Sequence, residues 1–100
     1  MPFNQIIPRP FTFGAVHMYA PNASGVYGIS NSHQWIYIGE TPDIQAALLA
    51  QIQDTSTAVN KHGPTGFVFE VCDETQRTGR HGRLVSEYEP ACNRHLSRYS

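Results

Sequence analysis

The chain has no long apolar runs, few cysteines and little charge. No stretch approaches the roughly 18 consecutive apolar residues of a membrane-spanning helix, so no membrane contact is expected. Residues 1–5 show neither the basic nor the apolar region of a secretory signal, which predicts a cytoplasmic protein. Cys72 and Cys92 are too few for a disulfide framework, and we expect both to be free thiols.

Charged residues make up only 15% of the chain, and seven Lys and Arg stand against eight Asp and Glu. This balance gives no general attraction to nucleic acid or to an anionic membrane. Basic residues are absent between Arg9 and Lys61 and crowd the last quarter of the chain. We expect any phosphate-binding surface to be formed there, by Arg77, Arg80, Arg83, Arg94 and Arg98.

One hundred residues with 40% apolar content suffice for one domain with a modest core. The β-rich runs at 26–29 and 34–38, joined by an Asn31-Ser32-His33 turn, predict a hairpin. A third strand is predicted over residues 66–72, with Phe67, Phe69 and Val71 on one face and Val68, Glu70 and Cys72 on the other.

Two helices are predicted between and after these strands. Thr41 as N-cap and Pro42 at the first helical position predict a helix over residues 42–54. A second helix is predicted over 78–88, ended by Pro90. Three prolines within residues 1–10 indicate an extended start. We therefore divide the chain into a lead-in (1–23), one domain (24–93) and a C-terminal tail (94–100).

Three short motifs resemble the landmarks of the GIY-YIG endonuclease superfamily. They are Gly25-Val26-Tyr27 in the first strand, Tyr37-Ile38-Gly39 at the end of the second, and Pro90-Ala91-Cys92-Asn93 near the end of the chain. The resemblance implies a small α+β domain in which helices flank a central, three-stranded, mainly antiparallel sheet. It covers roughly residues 24–93.

The resemblance also implies a set of catalytic groups. Such nucleases use a strand tyrosine that is deprotonated or positions the attacking water, a helical arginine on the scissile phosphate, a glutamate that binds a divalent metal, and a supporting asparagine. Phosphodiester hydrolysis needs a nucleophile, a Lewis acid and positive charge on the transition state. Tyr27, Tyr37 and Asn93 occupy the matching catalytic positions.

Two positions depart from this pattern. The arginine position falls at Ala47, and the predicted helix contains no Lys or Arg. The glutamate position falls at His81. Losing both groups should nearly abolish hydrolysis. We therefore expect a degenerate site without an assignable metal ligand or cofactor, in a domain that binds DNA through the C-terminal arginines, a protein partner or a second copy of itself.

Two other functions fit the same residues. The first is an active endonuclease, dependent on Mg or Mn, in which Arg80 or Arg83 reaches the phosphate and Glu70 or Glu87 supplies the carboxylate. An alignment shifted by one turn would instead bring Asp73, Glu74 or Glu87 near the site. The second is a structural or regulatory protein that never contacts nucleic acid.

The singled-out residues also have structural interpretations. Tyr27 and Tyr37 are then aromatic residues packing across a hairpin, and Asn93 is a residue of the turn after a helix. His81, between glycines, is then a solvent-exposed histidine. A zinc site formed by Cys72, His81, Cys92 and His95 is not expected, because the first two match no familiar ligand spacing.

Overall fold

The computed structural model describes residue 3 and residues 7–93. The secondary structure of this part of the chain is a mixture of short helices and strands. In chain order the elements are β1 (Arg9–Pro10), α1 (Phe13–Tyr19), β2 (Gly25–Ser30), β3 (Trp35–Thr41), α2 (Ile44–Gln53), α3 (Ala58–Lys61), β4 (Gly66–Val71) and α4 (Glu74–Tyr88).

The strands form one antiparallel sheet in the order β1-β4-β2-β3. The sheet thus has four strands where the sequence predicted three. The added strand is short: Arg9 pairs with Phe67, and Pro10 pairs with Gly66. A proline is tolerated there because β1 lies at the edge of the sheet, where a missing N–H disrupts no ladder.

The predicted hairpin is β2 and β3. In its register Tyr27 lies opposite Gly39 and Gly28 opposite Ile38, and an irregularity follows at Ile29. The Asn31 side chain closes the turn, because its Oδ1 accepts from the N–H groups of His33 at 2.8 Å and Gln34 at 2.9 Å. This is the local bonding that favours Asn in turns.

Helix α2 begins two residues later than predicted. Its N-cap is Asp43, whose Oδ1 accepts from the Ala46 N–H at 3.1 Å. Thr41, the predicted N-cap, is the last residue of β3, and its Oγ1 accepts from the Asp43 N–H. The carboxylate is the better acceptor for the first turn of a helix, where N–H groups lack partners.

Helix α4 begins four residues earlier than predicted, because Asp73 caps it. Asp73 Oδ1 accepts from the N–H groups of Thr75 and Gln76, both at 3.1 Å. The hydrogen bond from the Thr75 hydroxyl, helped by these two backbone bonds, lowers the pKa of the Asp73 carboxyl. Gly79 and Gly82 lie inside the helix and do not prevent it. The helix ends at Glu89, which adopts a left-handed conformation (φ 47°) before Pro90.

Helix α1 lies within the stretch that the sequence analysis assigned to the lead-in. Thr12 caps it by accepting from the Ala15 N–H at 3.2 Å. Val16 and Ala20 are buried in the core. Residues 94–100, assigned to the tail, lie outside the described residues, and the three-part division of the chain stays a prediction.

Two apolar clusters pack on opposite faces of the sheet. On the side that we call the α2 face, Val16, Ile44, Leu48 and Val59 cover Ile29 and Phe67. On the other, the α4 face, Leu84 and Phe3 cover Val26, Ile38 and Val68. The predicted alternation in β4 is confirmed by Phe67 and Phe69 on the first face and Val68 and Cys72 on the second. No helix in the described part of the chain has the length and apolarity to span a membrane.

Candidate functional site

Tyr27 is held in the middle of the sheet by a glycine on the neighbouring strand. The Tyr27 side chain is on the α2 face, and the residue is 5% exposed. A Cβ atom added at Gly39 would lie 2.5 Å from both Cζ and the hydroxyl oxygen of Tyr27. Gly39 is therefore the residue that makes room for the phenol ring, and a larger side chain would displace it.

Tyr37 lies beside Tyr27 on the same face. The two ring centroids are 6.1 Å apart, with an interplanar angle of 50°. Burial raises the pKa of Tyr27, the neighbouring Tyr37 raises it further, and the Gln51 side chain opposes the increase. Burial also raises the pKa of Tyr37, with smaller contributions from Cys92 and Glu40. Both side chains are therefore neutral phenols at neutral pH, suited to donating hydrogen bonds rather than to removing a proton.

Asn93 binds the outer edge of β3. The Ile38 N–H donates to Asn93 Oδ1 at 2.7 Å, and Asn93 Nδ2 donates to the Ile38 carbonyl at 2.9 Å. Just before it, the N–H groups of Ala91 and Cys92 donate to the Trp35 and Ile36 carbonyls. The buried Asn93 amide thus replaces a further strand and fixes the peptide between Tyr37 and Gly39. Asn93 therefore makes a long-range contact with β3, and it is more than a residue of the turn after α4.

His81 is joined to the same peptide. Its Nε2 lies 3.0 Å from the Ile38 carbonyl oxygen, and its Nδ1 lies 3.7 Å from Glu40 Oε2. The side chain is 25% exposed, so the interpretation as a solvent-exposed histidine is wrong. The Nε2 contact requires a proton on that nitrogen, so in the neutral ring Nδ1, which faces Glu40, is the nitrogen that keeps a lone pair.

Metal ligands are sparse throughout the described residues. They contain no group of three or more His, Cys, Asp and Glu side chains placed to hold a metal ion. His95, the fourth member of the zinc candidate, lies outside them. Glu40, the carboxylate beside His81, already accepts from Arg77 Nε at 3.3 Å and from Thr78 Oγ1 at 2.9 Å.

Ala47 lies on α2 and packs, partly buried, against the cluster on the α2 face. No residue of α2 is charged. A methyl group therefore stands where the resemblance implies a phosphate-binding cation.

Two of the five arginines assigned to the phosphate-binding surface have carboxylate partners. Arg80 is 9% exposed and binds Glu70 through two hydrogen bonds, of 2.7 and 2.9 Å. Arg77 binds Glu40 and also donates to Ser24 Oγ at 2.9 Å. Arg77 and Arg80 are thus paired with carboxylates of the sheet, and nucleic-acid binding by the C-terminal arginines stays a prediction. Arg83 is exposed, and Arg94 lies outside the described residues.

The relocated catalytic groups also lie apart from the tyrosines. Val26 pairs with Glu40 on one side and with Glu70 on the other, so both carboxylates lie on the α4 face. Tyr27 points to the opposite face. Glu70 and Arg80 are therefore separated from Tyr27 by the sheet, and they neutralise each other.

One feature near the tyrosines was missed by the sequence analysis. A cleft of about 480 Å³ lies against Tyr37 on the α2 face, and Gln51, Val59, His62 and Cys92 contribute to its walls. Gln51 is one helical turn after Ala47, so the α2 periodicity places it on the same side of the helix. The spacing alone could have singled out Gln51, but the cleft depends on α3, which the sequence did not predict.

No family model and no curated protein matches this sequence. Solved structures do match. The magnesium-bound GIY-YIG N-terminal endonuclease domain of UvrC from Thermotoga maritima is 21% identical, with a TM-score of 0.67 over 79% of this chain and 92% of that one. A point mutant of that domain, bound to its catalytic divalent cation, is also 21% identical, with a TM-score of 0.65 over 76% of this chain and 91% of that one. The antiparallel sheet, its flanking helices and the ordered motifs agree with this likeness, and the chain has the GIY-YIG endonuclease fold.

Proposed function

We propose that this domain has impaired or absent nuclease activity and acts by binding a partner. One observation carries the proposal: Ala47 and His81 stand where a phosphate-binding arginine and a metal-binding glutamate are implied, and His81 is hydrogen-bonded to the Ile38 carbonyl. Removing either kind of group from a nuclease costs orders of magnitude in rate. Tyr27, Tyr37 and Asn93 then preserve the fold around an inactive centre.

The residues present do not suit a divalent metal such as Mg. Magnesium prefers oxygen ligands in near-octahedral geometry, and imidazole is a poor substitute. Glu40, the nearest carboxylate, is engaged by Arg77 and Thr78. Both bonds are to Glu40 Oε1, so Oε2, which lies 3.7 Å from His81 Nδ1, is the oxygen of this carboxylate left for a metal. One carboxylate oxygen beside an imidazole is a poor site for Mg.

The alternative of an active enzyme requires the Glu70–Arg80 pair to open. Arg80 would have to leave two short hydrogen bonds and a largely buried position to reach a phosphate. Breaking such a pair strands a poorly solvated charge. We therefore favour an inactive centre over relocated catalytic groups.

For the binding partner, we favour a protein surface over DNA. Arg77 and Arg80 carry partners already, so they offer little net positive charge to phosphates. Helix α2 is uncharged, and Phe13 and Met18 on α1 are 50% and 74% exposed. Surfaces with few charges and exposed aromatic or Met side chains are typical of protein interfaces. DNA bound through Arg83 and Arg94 is the competing possibility.

A cleavage assay tests the loss of activity. Supercoiled plasmid and branched DNA are incubated with the protein in Mg or Mn, with an EDTA control and with the Tyr37→Phe variant. We expect no metal-dependent nicking by folded protein. Nicking that requires the metal and disappears in Tyr37→Phe would restore the active-enzyme hypothesis.

Salt dependence separates the two kinds of partner. DNA binding through arginines releases counterions and weakens steeply as salt rises, whereas an apolar protein interface barely responds. We expect no salt-sensitive association with duplex or branched DNA. Association that weakens steeply with salt, and that Arg83→Gln reduces, would favour DNA instead.

A further inference from the structure

The cleft beside Tyr37 has the properties of a small-molecule site. Its volume of about 480 Å³ falls within the range of about 300–1,000 Å³ that ligand pockets occupy. Tyr37 and Cys92 form one side, Gln51 comes from α2, and Val59 and His62 come from α3 and the residue that follows it. The cleft therefore lies between β3, α2 and α3, and the turn after α4 closes one side of it.

The chemistry of the cleft favours an uncharged ligand. None of the described residues that line it is Lys, Arg, Asp or Glu. Burial raises the pKa of the Cys92 thiol, which keeps it protonated at neutral pH. A phosphate or carboxylate entering here would lose its hydration without gaining a cation, which is costly.

Gln51 offers a hydrogen-bond acceptor that the described protein groups do not satisfy. Its Oε1 is buried and has no hydrogen-bond partner among the described residues. Gln51 lies close enough to Tyr27 to lower the pKa of its phenol against the larger effect of burial. The last side-chain torsion of Gln is soft, so a small rotation presents Oε1 to the cleft. A ligand N–H there would satisfy a group that otherwise costs stability.

His62 supplies the complementary donor at the rim. Its Nδ1 lies 3.3 Å from Gln34 Nε2. Because an amide nitrogen can only donate, Nδ1 accepts and Nε2 carries the proton. Tyr37 adds an aromatic surface between these two polar groups.

We propose that this cleft binds a small, uncharged heteroaromatic molecule that donates an exocyclic N–H to Gln51 and accepts from His62, as an adenine-type base does along one edge. The proposal does not depend on the loss of nuclease activity. It assigns to the α2 face a binding role distinct from phosphate recognition.

Titration of the isotope-labelled protein with adenosine, followed by amide NMR spectra, tests the proposal. We expect saturable shifts at Tyr37, Gln51, Val59 and Cys92, with a Kd of about 1 mM or tighter. N6,N6-dimethyladenosine lacks the exocyclic donor and should bind about tenfold more weakly, because a missing hydrogen bond leaves the acceptor unpaired. No saturation by adenosine, shifts centred elsewhere, or equal affinity for the dimethyl analogue would overturn the proposal.

Adenosine monophosphate tests the neutrality of the site. Without a cation in the cleft, the added phosphate should not improve binding. Tenfold tighter binding of the monophosphate would contradict the proposal, because it would show that a cation, and not the base edge, provides recognition.

Protein variants separate this site from non-specific binding. Gln51→Leu should weaken adenosine binding about tenfold, whereas Gln53→Leu, the same change at an exposed position of the same helix, should leave it unchanged. Ala58→Trp places a large ring in the cleft from an exposed position and should abolish binding. Thermal unfolding verifies that each variant is folded. Equal losses in Gln51→Leu and Gln53→Leu, or full binding by Ala58→Trp, would overturn the assignment.

Discussion

The two faces of the sheet use polar residues in opposite ways. On the α4 face, Glu40 and Glu70 flank Val26 and bind arginines of α4, so charge is matched inside the structure. On the α2 face, Tyr27 and Tyr37 pack against each other, and no residue of α2 is charged. Charge is therefore paired between α4 and the sheet on one face and is absent from α2 on the other. The proposed loss of nuclease activity depends on this contrast, because a nuclease needs unmatched cations and carboxylates beside its tyrosines.

The largest expected effects are losses of stability when a buried leucine is shortened, and they should be similar on the two faces. Leu48→Ala on the α2 face and Leu84→Ala on the α4 face each remove a side chain that is 0% exposed. Each should lower the free energy of unfolding by about 3 kcal/mol, because a cavity remains where the side chain packed. Urea unfolding measures the loss. Leu49→Ala, at a partly buried position of α2, is the control and should cost clearly less. A loss below about 1 kcal/mol at Leu48 or Leu84 would contradict the described packing.

The two ion pairs of the α4 face should contribute differently to the free energy of unfolding. Arg80→Met leaves Glu70 partnerless in a position where the side chain is 15% exposed, and it should cost about 2 kcal/mol. Arg77→Met acts on a more exposed pair and should cost less than about 1 kcal/mol. Urea unfolding at low salt compares them. Equal small losses would mean that Arg80 is no more constrained than a surface residue.

The double change Glu70→Leu/Arg80→Met sharpens this test. Replacing both partners with apolar side chains removes the stranded charge, so stability should recover toward that of the original protein. If the double variant is less stable than Arg80→Met alone, the pair stabilises the fold beyond the cost of an unpaired charge.

The two hydrogen bonds between Asn93 and Ile38 at the edge of β3 should also stabilise the fold, but by less than the Glu70–Arg80 pair. Asn93→Ala removes two hydrogen bonds to Ile38 and leaves its N–H without the 2.7 Å acceptor. We expect a loss of about 1.5 kcal/mol, and increased hydrogen exchange at the Ile38 amide. Asn22→Ala, at an exposed residue bonded to Asp43, should stay within about 0.5 kcal/mol. An unchanged Ile38 exchange rate in Asn93→Ala would show that the hydrogen bonds of Asn93 do not protect this edge of β3.

A further expected effect, seen only at alkaline pH, concerns Tyr27. The folded-state pKa of Tyr27 is raised above its ordinary value of 10.0. The folded protein therefore keeps a proton that the unfolded chain loses. Its contribution to stability is complete below about pH 10 and is lost as the pH rises through the raised folded value.

Urea unfolding across this pH range measures the decline, and the tyrosinate absorbance reports the ionisation itself. Tyr27→Phe should flatten the decline because it removes the titrating group. An identical decline in Tyr27→Phe would show that Tyr27 titrates normally.

Much of the fold follows from local patterns in the sequence. The hairpin and β4 were predicted because β-branched and aromatic residues alternate there and turn residues bound them. Helices α2 and α4 were predicted from local start and stop signals such as Pro42 and Pro90, although the carboxylates of Asp43 and Asp73 set the observed starts. These features are determined by residues close to one another in the chain, so they can be predicted from the sequence.

Elements that depend on distant partners were not predictable. Strand β1 is two residues long and exists because β4 pairs with it. Helix α1 contains Gly14, a poor helix former, and is stabilised by burial of Val16. Likewise, the motifs located Tyr27, Tyr37 and Asn93, but which carboxylate binds which arginine is decided only by the packing of α4 on the sheet. The cytoplasmic location stays a prediction.

The most direct test of the central claim is whether a divalent metal binds beside Tyr37 and His81. Mn²⁺ broadens the NMR signals of nuclei near it, so amide spectra recorded up to about 1 mM Mn²⁺ locate any such site. The account predicts no saturable broadening centred on Ile38, Gly39, Glu40 and His81. Saturable broadening centred there, and removed by Glu40→Gln, would show that these residues hold a metal and would contradict the loss of the catalytic centre.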